Sequence, residues 1–371
     1  MKSYTSLVKR FGSITAAAKS LNMPRSTFSD KLRQEKSDQH VVDAPKIVEQ
    51  QQKELGELQA RLGIYEALES SKSSYHIPQH ASRTGAAVPV AVLSDVHVGE
   101  RVDPSDIPGA VNVYTPEVCR KRLEQFFQKT VYLNERIARS MAKVDTMVLA
   151  LLGDLMTGHL HDDQKESNYL APVEEILLLE EMISSGIEHL LSHGKLDKII
   201  IPCTMGNHGR TSHKMRAKTL KETSFEWMLY KHLERVWAKE KRLEWHIAGG
   251  YHQYVKVFDT IMRFHHGDAI QYGGGVGGIT IPIKKAIEQW QRVQRADLDI
   301  MGHFHQLIDG GNFIVNGSTI GYNAYSLRIK ASCEPPQQAW FLIDQKRGKT
   351  VTSRIATDYM PPGLKSIDLM R

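Results

Sequence analysis

Eight side chains able to hold a metal ion or move a proton stand directly behind apolar runs in this sequence: Asp95, His97, Asp154, Asn207, His208, His266, His303 and His305. Asp95 and His97 follow Val90-Ala91-Val92-Leu93 within VPVAVLSDVHVG. Gly153-Asp154 ends DTMVLALL, and Gly206-Asn207-His208 follows KIIIPCT. His265-His266-Gly267-Asp268 ends the run 261–264, and Gly302-His303-Phe304-His305 ends 298–301. Chance supplies one or two such endings in a chain this long, not five in series. A carboxylate shared among several imidazoles and an amide oxygen is the donor set that two adjacent divalent ions need. Such donors suit Mn, Fe, Zn or Ni rather than Ca or Mg alone. Two ions about 4 Å apart lower the pKa of a nucleophilic water and neutralise charge growing on a phosphate. The chemistry indicated is metal-assisted phosphoester hydrolysis.

The elements behind these residues read as strands. A short apolar run stopped by polar residues is consistent with a buried strand, although periodicity alone does not separate it from a buried helix. At a strand end Asp95 and His97, two residues apart, are expected to share a face. A polar tip behind an apolar strand is how an open parallel sheet presents a site at its carboxyl edge. Helices are expected over 116–142, 172–193 and 219–239, and strands alternating with helices argue an α/β core. Segments 243–247, 251–258 and 261–265 read as consecutive strands of a second, more antiparallel sheet. Two further strands are expected within 339–355, around Lys346-Arg347-Gly348.

Residues 1–36 read as a separate helical unit. Leu7, Val8 and Phe11 share a face of a first helix, which Gly12 breaks. Ser13 or Thr15 can cap a second helix over 14–21, and Asn22-Met23 turns the chain. Pro24 opens a third helix, where its missing N–H does no harm, with Phe28 and Leu32 on the apolar face. Ala16, Ala17 and Ala18 allow the close crossing of a helix-turn-helix. Residues 37–45 read as a linker. Over 45–70, Val48, Leu55, Leu58, Leu62 and Tyr65 fall near a-and-d heptad spacing, weakened by Gly56 and Gly63. That pattern fits either a homodimer formed through 46–69 or an amphipathic helix lying on the next domain. A polar tether, 70–87, places the domain boundary. The division is therefore 1–36, a helical linker and tether over 37–87, an α/β domain over 88–355, and a tail over 356–371.

The whole chain bounds the answer loosely. It has 371 residues, 41% of them apolar and 24% charged, with a formal charge of +6. A pI near 9.0 suits a polyanionic partner without requiring one. Three scattered cysteines suggest neither a disulfide framework nor a cysteine zinc site, and a reducing compartment is the default. No apolar run spans a bilayer and no signal-peptide core is present. The expectation is a cytoplasmic protein with no membrane partner.

The ordered set D-x-H, G-D, G-N-H, H-G and G-H-x-H resembles the calcineurin-like metallophosphoesterase superfamily, over residues 88–321. The resemblance implies a four-layer αββα sandwich with a dinuclear centre. By matching positions, Asp95, His97 and His305 would hold one ion and Asn207, His266 and His303 the other. Asp154 would bridge them, and His208 would assist the leaving group. The motifs are similar to those of the repair-nuclease branch. Two features depart from the pattern. Gly209-Arg210 follows G-N-H where many members carry an acid, which removes a carboxylate able to orient His208; Arg210 then becomes a candidate phosphate contact. His265 adjoins His266, and His266 is chosen because it precedes Gly267. His159, His161 and His213 read as loop residues, and Gly273–Gly278 as a flexible or close-packed turn near the site. Tyr322, Tyr325 and Arg328 read as core residues or as the border of a nucleic-acid groove.

The stretch FGSITAAAKSLNMPRSTFSDKLRQ resembles the Fis-type helix-turn-helix of bacterial regulators. There the third helix enters the major groove, which implies DNA contacts from Arg25, Ser26, Thr27, Ser29, Lys31 and Arg33. Such a unit joined to such a catalytic domain also resembles a bacteriophage or prophage product, acting in the host cytoplasm. The leading expectation is a DNA nuclease with two metal ions, Mn first. The alternatives are a phosphatase or a small-molecule or cyclic-nucleotide phosphodiesterase with an N-terminal docking unit, and a transcription regulator with a degenerate sensor domain.

Overall fold

The computed structural model describes residues 3–70, 85–107, 112–160, 162–272, 277–328 and 330–359. The expectations for the tether over 71–84, for His161, for glycines 273–276 and for the tail beyond 359 fall outside these residues. The chain divides into two compact units, Met1–Ala81 and Ser82–Arg371.

In the first unit, α1 (Tyr4–Phe11) is capped by Ser3 and stopped by Gly12 in the left-handed region. Helix α2 (Ile14–Ser20) is capped by Ser13, whose hydroxyl accepts the Ala16 N–H. Leu7, Ala17, Ala18, Phe28 and Leu32 form a small buried core. The alanines sit at its centre because only small side chains let the helices approach so closely. Helix α3 spans Arg25–Ser70 and departs from expectation, running through the segment 37–45. The physical reason is that 37–44 contains neither Gly nor Pro and nothing that stops a helix, so Pro45 alone, at the cost of one backbone hydrogen bond, does not divide it.

The second unit begins with β1 (Ala87–Leu93), α4 (Pro116–Leu133), a π turn (Asn134–Ala138), α5 (Arg139–Met141) and β2 (Thr146–Leu151). It continues with α6 (Asp162–Ser167), α7 (Pro172–His193), β3 (Lys198–Cys203), α8 (Phe225–Val236) and β4 (Leu243–Ile247). Next come β5 (Gln253–Val257), β6 (Thr260–Phe264), α9 (Thr280–Gln291), β7 (Leu298–Met301), β8 (Ile308–Asp309) and β9 (Phe313–Val315). Helix α10 (Ala324–Arg328), β10 (Gln337–Asp344) and β11 (Gly348–Ala356) close it. The helix expected over 116–142 is interrupted by the π turn. There Asn134 turns inward, its side-chain Oδ1 accepting the Trp340 indole N–H at 3.0 Å. Helix α8 starts later than expected because Ser224 caps it after a single 3₁₀ turn over Lys221–Thr223. Helix α9 was not among the expected helices, since Pro282 and the preceding glycines disguise the repeat Ile279, Ile283, Ile287.

The strands build two sheets, ordered β11-β10-β1-β2-β3-β4 and β5-β6-β7-β9-β8. Strands β1 to β4 run parallel, with β10 and β11 antiparallel at one edge, so 243–247 joins the first sheet through β3 and not the second sheet expected for it. In the second sheet β6, β7 and β9 are parallel and the edges β5 and β8 antiparallel. Alternation along each strand sorts the apolar side chains into layers. Val88, Val90, Val92, Val148 and Ala150 face the second sheet's Met262, Phe264, Ile300 and Ile314. Ala91, Leu93, Leu149 and Leu151 face the other way, onto Phe126, Leu179, Ile183 and Leu229 of the helices. Helix α9 covers the far side of the second sheet through Ile283 and Ile287. The result is four layers, helix–sheet–sheet–helix. Strand β1 is buried along its whole length, as a strand covered on both faces must be. Each fully buried aliphatic residue in these layers contributes about 1.5–3 kcal/mol.

Candidate metal centre

The residues beyond the strand tips do not continue as strand. Asp95, His97, Asp154, His303 and His305 have φ of 52°, 46°, 47°, 70° and 53°, the left-handed region that L side chains with a Cβ enter at a cost. Asp95 and His97 therefore converge through alternate left-handed backbone, not through the two-residue period of a strand. The loops run side by side: Asp95 N–H donates to the Gly153 carbonyl at 3.1 Å and His97 N–H to the Asp154 carbonyl at 3.0 Å. Gly153 and Gly206 let the β2 and β3 loops touch. A Cβ on Gly153 would stand 2.2 Å from the Gly206 nitrogen.

All eight residues singled out in the sequence gather at this edge. Donor atoms of Asp95, His97 and His305 lie within 4.8 Å of one another, as do those of Asp154, His266 and His303, and those of His97, Asp154 and His208. Asn207 lines the same cavity, of about 450 Å³, with His97, Asp154, His208, His303 and His305. Both ring nitrogens of His97 and the side-chain oxygen of Asn207 are buried without a hydrogen-bond partner among the described residues. Buried polar atoms are rarely left so, and a shared cation is the ligand that N and O donors of this kind accept. His266 Nε2 lies 2.9 Å from Asp154 Oδ2, and His305 Nε2 3.4 Å from Asp95 Oδ1. His265 turns away, its ring packed on Trp290 and His252 and 3.6 Å from Asp299.

Charge is arranged around these donors. Burial, then the neighbouring His208 ring, holds His97 well below the usual imidazole range. Burial brings His303 down to about 4. Both rings are thus neutral with lone pairs to offer. Burial opposes protonation of His266 too, yet Asp154 raises it well above the ordinary value. Asp154 is held well below the carboxylate range by His266 and His208 against the effect of burial.

A further ring of contacts aims the donors, as metal sites require. His266 Nδ1 donates to the Leu152 carbonyl at 2.8 Å, leaving Nε2 for the cavity. Asp95 accepts from the Ser94 hydroxyl and from the His303 N–H at 3.0 Å. Asn316 donates to Ser94 Oγ at 2.8 Å and to Gln338 Oε1 at 2.6 Å. His208 N–H donates to Asp154 Oδ1 at 2.8 Å. Its Nδ1 donates to the Thr157 carbonyl at 2.9 Å, beside the Gln164 amide. The missing acid after G-N-H is therefore replaced as an orienter by a backbone carbonyl. Glu175 holds that loop, accepting the N–H groups of Thr157 and Gly158 at 2.8 and 3.1 Å.

Arg210 does not reach the cavity as expected. Its guanidinium is spent on the carbonyls of Asn207, Ser212 and His213, bracing the loop that carries Asn207. Arg328 lines the cavity instead, with Glu100, Gln164 and Asn323. Glu100, Glu175, Gln164 and Glu226 were missed in the sequence. None sits behind an apolar run, and only the bare Gly209 signals that something else fills its space. His159 and His213 are exposed loop residues, and Tyr322 is half-buried. In the first unit Arg25, Ser26, Thr27, Lys31 and Arg33 are exposed and Ser29 half-buried.

No model of a known protein family matches the sequence, and a search of curated proteins finds no match. Among solved structures the chain is similar to a predicted phosphoesterase from Streptococcus pneumoniae TIGR4, at 15% identity and a TM-score of 0.33, covering 76% of this chain and 97% of that one. It is also similar to zinc-complexed Vps29 from Entamoeba histolytica, at 15% identity and a TM-score of 0.30, covering 73% and 99%. The calcineurin-like phosphoesterase YfkN from Bacillus subtilis matches at 12% identity and a TM-score of 0.29, covering 74% and 92%. No helix among the described residues is long and apolar enough to cross a membrane.

Proposed function

We propose that this chain is a two-metal phosphodiesterase of the calcineurin-like class whose substrate is DNA. The observation that carries the catalytic half is the gathering of His97, Asp154, Asn207, His208, His303 and His305 around one cavity, with Asp95 and His266 clustered directly on them and buried donor atoms of His97 and Asn207 unsatisfied. Asp95, His97 and His305 would hold one divalent ion and Asn207, His266 and His303 the second, with Asp154 a donor available to both. The donors are oxygen and imidazole nitrogen, which suits Mn first and Fe, Zn or Ni after it. When bound, the ions lower the pKa of the attacking water and neutralise charge on the phosphate. The chain's own part is orientation and proton delivery. Thr157 fixes the Nδ1 proton of His208, leaving Nε2 to serve the leaving oxygen.

The DNA half rests on other features. Arg25, Ser26, Thr27, Lys31 and Arg33 lie exposed on the start of α3, the residue types that read phosphates and base edges. Lys214, Arg216 and Lys218 are exposed on the loop that follows Asn207. On α3, Ile47, Val48, Leu55, Leu58 and Leu62 are each at least half exposed, which supports a homodimer through 46–69.

The test is a substrate panel with Mn²⁺ and the intact protein: linear duplex DNA, single-stranded oligonucleotide, bis-p-nitrophenyl phosphate and p-nitrophenyl phosphate. Hydrolysis of DNA and of the diester is expected. Turnover of the monoester alone would refute the nuclease reading in favour of a phosphatase.

A further inference from the structure

Helix α8 delivers a carboxylate to the underside of the metal loops. Glu226 lies in its first turn and is fully buried. Its Oε1 accepts the Leu155 N–H at 2.7 Å and its Oε2 the Gly206 N–H at 2.6 Å. Leu155 directly follows Asp154, and Gly206 directly precedes Asn207. One carboxylate thus ties the loop after β2 to the loop after β3. Space for it comes from position 209: a Cβ on Gly209 would stand 2.7 Å from Glu226 Cγ and 3.0 Å from Cδ. The Phe225 N–H donates to the Gly209 carbonyl at 2.8 Å, fixing the start of α8 against the same loop.

Resting on the two-metal reading above, we infer that Glu226 is a positioning residue: it sets the spacing between Asp154 and Asn207, and Gly209 is bare so that it can enter. The carboxyl is costly to bury. A group that only filled volume would not need two oxygens aimed at two amides. An amide in its place keeps the shape but has one acceptor, so one of the two loops loses its tie.

The experiment uses the full chain without metal, followed by titration with Mn²⁺. In wild type the Leu155 and Gly206 amides exchange slowly. In Glu226→Gln one or both exchange faster while the β1 and β2 amides do not change, and Mn²⁺ affinity measured by calorimetry falls about 10- to 100-fold. A second pair of variants separates positioning from folding. Glu226→Ala loses protection at both amides, and Gly209→Glu combined with Glu226→Ala regains it, because the new side chain enters from 3.3 Å away from the vacated Oε2 position. Unchanged exchange and wild-type Mn²⁺ affinity in Glu226→Gln would overturn the assignment, as would a double variant no better protected than Glu226→Ala. A wild-type chain that takes up no Mn²⁺ would sink the two-metal reading, while the exchange measurement would still decide the clamp.

Discussion

Replacing Gly206 by alanine tests how closely the two metal loops must approach. The new Cβ would stand 2.1 Å from Asp154 Oδ1 and 2.2 Å from the Asp154 nitrogen, where ordinary contact begins at 3.4 Å. The obstructing nitrogen is backbone, so no side-chain rotation relieves the clash. Relief at the nitrogen requires the loops to part by about 1.2 Å, and the His208 N–H bond to Asp154 at 2.8 Å is lost with the movement. Overpacking of this kind costs about 1–3 kcal/mol, which the scaffold tolerates. A displacement near 1 Å at a catalytic constellation costs about 100-fold in rate. The expected variant therefore folds, melts a few degrees lower, and hydrolyses bis-p-nitrophenyl phosphate with Mn²⁺ about 100-fold more slowly. Thermal melting and diester turnover measure the two effects separately. Wild-type turnover in Gly206→Ala would refute the claim that the pair Gly153–Gly206 sets the metal loops.

Other parts of the molecule make independent predictions. Glu175 titrates at about 7 in the folded chain, pushed up by burial, against 4.5 ordinarily. The unfolded chain releases that proton first, so stability falls as pH rises from 4.5 to 7, by about 3 kcal/mol in all; Glu175→Gln should gain on wild type in urea melts between pH 5 and pH 8, and parallel curves would contradict this. Arg263 and Asp299 form a buried ion pair at 2.6 and 3.0 Å. Arg263→Met removes the guanidinium from a buried carboxylate that then keeps only His265 at 3.6 Å and should cost about 3–5 kcal/mol, most of it recovered in Arg263→Met with Asp299→Leu, as read by denaturant unfolding. Removal of residues 1–70 should leave diester turnover intact, weaken DNA affinity most at low salt, and abolish any dimer seen by sedimentation; unchanged DNA affinity would assign the unit another role.

The clustered side chains were legible because each stands at a place where an apolar run stops, and burial on both faces writes strands of this fold as unbroken apolar segments. The choice of His266 over His265 followed from one glycine. The backbone that joins these residues was not legible. No pattern of residue types marks Asp95 or His305 as left-handed, because the cause is the neighbouring loop. Glu175 and Glu226 lie on later helices, 18 and 71 residues from the amides of Thr157 and Leu155 that they accept, and only packing brings them beneath those loops. Arg210 was misjudged because a cation beside a phosphate site suggests a contact, whereas three carbonyls of its own loop claim it first. The continuation of α3 through 37–45 was missed because polar residues before a proline read alike in a linker and on a solvated helix.

The five left-handed positions set the scaffold and its chemistry against each other. Glycine at 95, 97, 154, 303 or 305 would relax a backbone held at a cost on the order of 1 kcal/mol apiece, and would delete one of the proposed cation donors in doing so. Selection for thermal robustness alone would erode this edge of the sheets first, so a stabilised descendant should be screened for turnover at every round.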